Sequence, residues 1–260
     1  MVPTPRVLAN VVDQLDGIDM ADADTKGDLY EYMLGKIARS GQNGQFRTPR
    51  HIIKLMVDMI APTPKDVICD PACGTAGFLI AASEYLLKQH GDAIYKNEKI
   101  RRKFNSGTFH GYDFDSTMLL HGVENPDIRY KDSLSKSDED DAERFSLILA
   151  NPPFSGSLDK ESTATELLRT VNTSKTELLF LALFERLMTQ GGRAAVIVPA
   201  GVLESNGKAQ TVVRKLLVES LRLEAVAPSA KLERDSGVSF STKAVRKRSP
   251  SIRESFCKWD

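Results

Sequence analysis

The chain is poor in cysteine and in long apolar runs. Three cysteines among 260 residues are too few for a disulfide framework, which favours a reducing compartment. The longest apolar run, 178–184, has seven residues, whereas a membrane-spanning helix needs about 20. The first residues, MVPTPR, carry no apolar signal-peptide core after their charge. We therefore expect a cytoplasmic protein without a membrane segment.

The chain also lacks an excess of charge of either sign. Lys+Arg and Asp+Glu both total 35, so the formal net charge is zero. A protein that binds DNA alone, through its phosphates, usually has a basic excess. If nucleic acid is the substrate, a local patch or a partner subunit must supply much of the affinity. Composition otherwise matches an ordinary globular protein, with 41% hydrophobic and 27% charged residues.

Apolar periodicity divides the chain into three parts. Residues 1–44 are predicted to be a helical segment, 45–230 one α/β domain, and 231–260 a poorly structured basic tail. Within the domain, strands and helices alternate, which predicts a doubly wound, mostly parallel sheet. The predicted strands are 66–69, 108–112, 145–150, 194–198 and 221–227, and the predicted helices are 50–60, 76–87, 176–188 and 208–220. Thr48 is predicted to cap the first of these helices, with Pro49 as its first residue.

A glycine-containing segment, Asp70-Pro-Ala-Cys-Gly-Thr-Ala-Gly-Phe78, joins the first strand to the helix after it. Gly74 and Gly77 let the backbone turn tightly and approach a ligand closely. Such a loop at the carboxyl edge of a parallel sheet is where these folds bind nucleotides. An ordinary strand-to-helix turn is the alternative, and the residues around the glycines disfavour it.

The second predicted strand ends in a carboxylate. Asp113 closes Gly111-Tyr-Asp, and a carboxylate at this place can accept hydrogen bonds from both ribose hydroxyls of a nucleotide. Asp115 is a competing candidate, and a surface turn aspartate is the alternative interpretation. The sequence therefore predicts a ribose contact at the end of this strand.

Asn151-Pro-Pro-Phe154 directly follows the strand FSLILA. Two prolines cannot continue a central strand, because neither donates to its ladder, so they stiffen a turn instead. That turn presents the Asn151 amide and the Pro152 carbonyl as acceptors, with an aromatic ring beside them. The arrangement suits a planar exocyclic amine. A rigid proline turn with an aromatic plug is the alternative.

Together these motifs resemble the amino-methyltransferases that use S-adenosylmethionine. More narrowly, the chain resembles the modification (M) subunit of type I restriction–modification systems, DNA adenine-N6 methyltransferases. The resemblance covers residues 25–227 in the family's order and spacing. The matching segments are Asp28-Leu-Tyr-Glu-Tyr32, Gly35-Lys36, Gln45-Phe-Arg-Thr-Pro-Arg50, Asp70 to Phe78, Asn151 to Phe154, Glu177-Leu-Leu-Phe-Leu181, Gly191 to Pro199 and Gly201-Val-Leu203.

This resemblance implies roles for individual residues. Asn151, Pro152, Pro153 and Phe154 would form the catalytic tetrapeptide, with Phe154 stacked on a flipped adenine of double-stranded DNA. Asp113 would hold the cofactor ribose, and Asp132 the amino group of its adenine. The residues implied at the cofactor are Phe46, Thr48, Pro49, Asp70, Ala72, Gly74, Thr75, Gly77, Phe78, Asp113 and Asp132. A specificity subunit and a restriction subunit are the implied partners.

No metal is expected. Cys69 and Cys73 lack the further ligands of a zinc site and are interpreted as small buried residues.

Two departures from the family pattern leave other functions open. The N-terminal helical segment is short, and Phe240-Ser-Thr-Lys-Ala-Val-Arg-Lys-Arg is a poor strand where the family has a good one. The loss of pattern after Ala227 predicts a gene truncated at both ends or frame-shifted. One alternative is therefore an inactive, cofactor-binding remnant. Another is a protein-glutamine or RNA amino-methyltransferase, which can use the same tetrapeptide.

Overall fold

A computed structural model describes residues 48–113, 123–136, 141–154, 156–228 and 240–247. Its helices are α1 (Arg50–Ile60), α2 (Gly77–Lys96), α3 (Glu98–Ser106), α4 (Thr165–Thr170), α5 (Thr176–Leu187), α6 (Gly201–Glu204) and α7 (Lys208–Glu219). Its strands are β1 (Ile68–Asp70), β2 (Phe109–Asp113), β3 (Asp127–Tyr130), β4 (Phe145–Ala150), β5 (Met188–Pro199), β6 (Leu221–Pro228) and β7 (Phe240–Lys247). The predicted helical segment 1–44 lies outside the described residues.

The strands form one mostly parallel sheet in the order β3-β2-β1-β4-β5-β7-β6. The first five strands pair in parallel, while β7 pairs antiparallel with both β5 and β6. The chain moves outward from β1 to β3, then returns to place β4 on the other side of β1. The predicted doubly wound, Rossmann-like fold is therefore confirmed, and the strand order reverses between β1 and β4.

Two apolar layers cover the two faces of the sheet. One contains the buried side chains of α5, a helix buried along almost all of its length, and the inner residues of α7. The other contains the inner faces of α1 and α2. Alternate residues of β5 enter different layers: Val196 and Val198 face α5, and Ala195 and Ile197 face α1 and α2. Burial on both faces explains why β4 and β5 are continuous apolar runs in the sequence.

The prediction that 231–260 is a poorly structured tail is wrong for residues 240–247. They form β7, which lies between β5 and β6 and pairs with both along its length. Strand propensity is weak here, but neighbours on both sides supply partners for the backbone, and such context commonly overrides propensity. The short elements β3 and α4 were also not predicted, because four and six residues carry too little periodicity.

A buried ion pair joins the end of α1 to the sheet. Arg193 on β5 donates to both carboxylate oxygens of Asp66, at 3.3 and 2.9 Å, and also to the carbonyls of Ile60 and Ala61. Ser146 on β4 donates to the same carboxylate at 2.8 Å. These contacts fix the segment that leads into β1.

No helix in the described part of the chain is long and apolar enough to cross a membrane.

Candidate active site

The carboxyl ends of β1 and β4 lie side by side. Cys69 of β1 pairs with Ile148 of β4, so the segments that follow the two strands begin as neighbours. A reversal of strand order between adjacent parallel strands opens a crevice at this edge, where such folds bind ligands. The fold therefore brings the glycine loop, residues 70–77, and the Asn151 tetrapeptide to the same place.

Hydrogen bonds within the glycine loop and to β2 hold the loop in place. The Asp70 carboxylate accepts a hydrogen bond from the Ala72 amide at 3.1 Å, and the Cys73 amide donates to the Tyr112 carbonyl at 3.1 Å. Gly74 has φ 50° and Ala76 has φ 61°, both in the left-handed region. A positive φ is uncommon for alanine. The tight turn that was predicted at Gly74 is confirmed, and Ala76 shares it.

Little space remains around the loop for added side chains. A Cβ on Gly111 of β2 would lie 2.7 Å from the Cys73 sulfur and 2.8 Å from Cδ1 of Ile128. A Cβ on Gly77, the first residue of α2, would lie 3.1 Å from Cδ1 of Ile53. The side chain of Phe78 is buried with α1 and α2, beneath the loop, and Cys73 is also buried. Only a compact backbone path fits here.

The segment after β3 contacts the glycine loop. The Ser133 hydroxyl donates to the Pro71 carbonyl at 2.5 Å. Next to it, Asp132 is exposed, and its Oδ1 accepts a hydrogen bond from the Leu134 amide at 2.9 Å. Asp113 is the last residue of β2, opposite Tyr130 in the ladder, and its side chain lies outside the described residues. Both predicted carboxylate positions therefore follow strands at the same edge of the sheet.

The two polar atoms of the Asn151 side-chain amide differ in their hydrogen bonding. Nδ2 donates to the Thr48 hydroxyl at 2.8 Å. Oδ1 is buried and has no hydrogen-bond partner among the described residues. An unsatisfied buried acceptor costs about 1–3 kcal/mol, so it marks a place where a ligand donor fits. The amide oxygen is therefore open to a donor from a ligand.

The predicted helix cap at Thr48 is wrong. Pro49 occupies the N-cap position of α1, and no side chain caps that helix. The Thr48 hydroxyl contacts Asn151 instead. Capping preferences are local in sequence, whereas Thr48 meets a residue from a strand at the centre of the sheet.

The rest of the tetrapeptide is fastened to α5. Thr176, the first residue of α5, donates from its hydroxyl to the carbonyls of Pro153 and Gly156, at 3.2 and 3.3 Å. Pro152 is buried, Pro153 is exposed, and the Phe154 ring packs at the edge of the layer that contains α1 and α2. The loop is thus held at both ends, at Asn151 and at Pro153.

Sequence reasoning missed three polar contributors. Ser133 and Thr176 carry only local hydroxyl groups, and no pattern marks their tertiary contacts. Glu177, in the first turn of α5, has an Oε2 atom that is buried and unpartnered. It lies in a segment that carries the family resemblance, which was the available signal. Phe46 falls outside the described residues.

A polar network lies on β2 beside this edge. The Tyr112 hydroxyl donates to Asp141 at 2.8 Å, and Lys131 and Arg144 donate to the same carboxylate. Burial raises the pKa of Asp141, but the hydrogen bonds from Arg144, Tyr112 and Lys131 outweigh it and lower that pKa to about 2. Burial raises the pKa of the Tyr112 phenol. The phenol therefore stays protonated and serves as a donor.

His110 belongs to the same network. Its Nδ1 lies 2.9 Å from Asp127 Oδ2, and its ring lies 5.2 Å from the Phe145 ring. Burial lowers the pKa of His110, with a further contribution from the Arg144 guanidinium, while Asp127 opposes the change. The network supports the strands that carry the edge and contains no group placed to attack a ligand.

A family model described as N-6 DNA Methylase matches residues 21–232. The chain belongs to this family. The methylase subunit of the type I restriction enzyme EcoEI from Escherichia coli is 31% identical over 232 residues, 85% of this chain and 46% of that protein. The family resemblance drawn from the sequence is therefore confirmed. This family member spans about half the length of the curated relatives it matches.

Solved structures agree with the fold. A modification subunit of a putative type I restriction enzyme from Vibrio vulnificus superimposes with a TM-score of 0.69 at 28% identity, over 94% of this chain and 54% of that one. A putative class I S-adenosylmethionine-dependent methyltransferase from Listeria monocytogenes gives 0.61 at 19% identity, over 89% and 70%. The second likeness shows the fold alone.

Proposed function

We propose that this chain binds S-adenosylmethionine and transfers its methyl group to the N6 amine of adenine in DNA, as the modification subunit of a type I restriction–modification system. The observation that carries the proposal is the buried, unpartnered Oδ1 of Asn151. It lies at the β1/β4 crevice, beside a glycine loop, in a member of the N-6 DNA methylase family. An amine donor fits that atom, and a nucleoside cofactor fits the loop.

The residues at the edge of the sheet fit the cofactor's parts. The backbone of Asp70, Ala72 and Gly74 would line its methionine end, with Thr75 and Gly77 where the loop enters α2. Phe46, Thr48 and Pro49 would wall the same end of the cofactor, Asp113 would hold the ribose, and Asp132 the adenine amine. The tight turn at Gly74 and Ala76 supports close approach of the backbone to a ligand. When bound, the cofactor supplies a methyl group on a sulfonium leaving group.

The tetrapeptide would hold the target base. Asn151 Oδ1 and the Pro152 carbonyl would each accept a hydrogen bond from one N6–H group, and the Phe154 ring would stack on the base. These bonds favour a more pyramidal nitrogen, whose lone pair is otherwise delocalised into the ring. The bound cofactor would supply the methyl group to N6 with its sulfur as the leaving group, and the N6 proton would leave to water. Positioning, rather than a strong base, then accelerates transfer.

The duplex sets a further requirement. An adenine inside DNA must be flipped out, at a cost of a few kcal/mol, and stacking on an aromatic ring returns about 1–3 kcal/mol. The chain's zero net charge supplies little non-specific attraction to phosphates. We therefore assign most DNA affinity and base reading to a specificity subunit, and cleavage to a restriction subunit.

The first test is calorimetry of S-adenosylmethionine with the purified chain. We expect binding that Asp113→Ala weakens at least about 10-fold, since each lost hydrogen bond to a charged group is worth about 1.5–3 kcal/mol. Asp92→Ala is the matched control, because Asp92 is exposed on α2 and pairs only with Lys96. Absence of binding at millimolar cofactor would overturn the proposal and would mean an inactive remnant in which even the cofactor pocket is not formed.

The second test identifies the product. The chain is expressed with a specificity subunit in cells that lack adenine methylation. Nucleosides from their DNA are then separated by chromatography and identified by mass spectrometry. We expect N6-methyladenine, and Asn151→Ala should remove it. A chain that binds cofactor but methylates protein or RNA instead would point to the other amino-methyltransferase classes.

A further inference from the structure

We propose that Thr48 is a positioning residue for methyl transfer: its hydroxyl holds the Asn151 carboxamide so that Oδ1 faces the target amine. The inference rests on the proposed function and adds a role that acts through Asn151. The observation behind it is a single tertiary bond, from Asn151 Nδ2 to Thr48 Oγ1 at 2.8 Å, across 103 residues of sequence.

Thr48 directly precedes α1, a helix that is packed against the sheet. The next residue, Pro49, has φ −56°, and its carbonyl accepts hydrogen bonds from the amides of Ile52 and Ile53 at 3.0 and 3.1 Å. The inner face of α1, including Met56, is buried against the sheet. A hydroxyl on such a support can hold a side chain in place, because its own position is set by a packed helix.

The partner on the other side is equally constrained. Asn151 follows β4, whose residues from Leu147 to Ala150 are fully buried, and Pro152 follows at once. The backbone is therefore set, and the freedom that remains is rotation of the carboxamide. The bond to Thr48 removes that rotation.

The orientation of the amide follows from counting donors and acceptors. As it stands, Nδ2 has an acceptor in Thr48, and one buried acceptor, Oδ1, is left open. In the flipped amide the hydroxyl would donate to Oδ1, and an NH₂ group with two hydrogens would occupy the buried, partnerless position. The flipped amide would thus place two N–H groups at the position that faces the target amine, whose own N–H groups need acceptors. In the orientation observed, the same position holds an acceptor.

Thr48 also belongs to the proposed wall of the cofactor pocket, and the two roles affect different quantities. Loss of a wall raises the dissociation constant of the cofactor. Loss of a positioning bond lowers the rate of transfer at saturating cofactor. Thr48→Val removes the hydroxyl and keeps the shape, while Thr48→Ser keeps the hydroxyl. Thr170→Val is the control, because Thr170 is exposed on α4 and its hydroxyl bonds only to the Glu166 carbonyl.

The bond itself is measured by NMR on the full chain labelled with ¹⁵N at asparagine. The side-chain amide of Asn151 is assigned from the signal that Asn151→Ala removes. We expect slow exchange of that amide with water in the wild type, Thr48→Ser and Thr170→Val, and faster exchange with a shifted signal in Thr48→Val. An unchanged Asn151 signal in Thr48→Val overturns the inference, whether or not the chain is active.

The catalytic effect is measured as single-turnover transfer by the complex with its specificity subunit. We expect Thr48→Val to slow transfer by about 10- to 100-fold, the size typical of a misplaced reacting group, and Thr48→Ser to restore it. The cofactor dissociation constant should stay within about 3-fold of wild type. Wild-type transfer by Thr48→Val, or a loss confined to cofactor affinity, overturns the positioning role. A wild-type complex that transfers no methyl overturns the proposed function instead.

Discussion

Asn151 and Thr48 are 103 residues apart in the sequence, yet the Asn151 amide donates to the Thr48 hydroxyl at 2.8 Å. The bond joins the end of a central strand to the start of α1. It leaves the amide oxygen buried without a partner. The central amide of the candidate site is thus oriented before any ligand arrives.

Asn151→Ala should abolish most methyl transfer while the protein stays folded. Removing one well-placed polar group from an active site costs about 100- to 1,000-fold in rate, and we expect a loss of that size in single-turnover assays. The free energy of unfolding should change by less than about 1 kcal/mol. Loss of the bond to Thr48 is offset by removal of an oxygen that has no partner. Asn172→Ala, at an exposed residue bonded to Lys160, is the control and should keep the wild-type rate.

Gly111→Ala should destabilise the protein and weaken cofactor binding. The added methyl group would lie 2.7 Å from the Cys73 sulfur, so the glycine loop or β2 must shift. Overpacking of this kind costs about 1–3 kcal/mol in urea unfolding. Gly91→Ala is the opposite case, because its Cβ would meet the Tyr95 ring at 3.9 Å within α2. It should raise the free energy of unfolding by about 0.5–1 kcal/mol. Equal effects of the two substitutions would contradict the packing argument.

Asp66→Ala should be among the most damaging substitutions outside the site. The Asp66 side chain is 5% exposed and that of Arg193 20% exposed, so the substitution leaves a largely buried guanidinium without its anion. We expect a loss of about 3–5 kcal/mol in the free energy of unfolding. Asp92→Ala breaks an exposed pair on α2 and should cost less than about 0.5 kcal/mol. A small loss for Asp66→Ala would mean that the carbonyls of Ile60 and Ala61 suffice for Arg193.

Stability should fall as the pH drops below about 6.5. Burial keeps the pKa of His110 below its ordinary value of 6.5, so the unfolded chain binds the proton more readily than the folded one. The free energy of unfolding is then unaffected by His110 above about pH 6.5 and decreases from there down to the folded pKa. His110→Asn removes the titrating group and should flatten urea-unfolding profiles between pH 7 and the onset of carboxylate titration. A wild-type protein that becomes more stable from pH 7 to 5.5 would contradict this assignment.

A second loss should follow in stronger acid. Burial would raise the pKa of Asp66, but the hydrogen bonds from the Thr63 amide and the Ser146 hydroxyl, with the Arg193 charge, outweigh it and hold that pKa below the ordinary 3.8. Hydrogen bonds from Arg144, Tyr112 and Lys131 likewise outweigh burial and hold the pKa of Asp141 at about 2. Their stabilisation is complete above about pH 3.8 and is lost as the pH falls towards 2. Asp141→Asn should reduce the steepness of unfolding in this range, as measured by circular dichroism.

Much of the fold could be predicted from local pattern. Helix α1 and strand β4 have the predicted bounds, and most other predicted elements differ by a few residues at their ends. The main exceptions are α2, which continues to Lys96, beyond the predicted end at 87, and β5, which begins at Met188 rather than at 194. Apolar runs mark strands covered on both faces, and glycines and prolines mark the turns. The glycine loop and the tetrapeptide were recognisable because each is a short segment whose chemistry is complete within itself.

The tertiary structure decided what depends on distant partners. Residues 240–247 become a strand because β5 and β6 lie on either side of them, and their own propensities give no such signal. Local pattern predicted Thr48 as a helix cap and the family resemblance implied it at the cofactor, but neither indicated its bond to Asn151, 103 residues away. Sequence alone determined which residues could perform the chemistry. The reversal of strand order between β1 and β4 decided which of them meet, because adjacency in a sheet is set by backbone pairing across the whole domain.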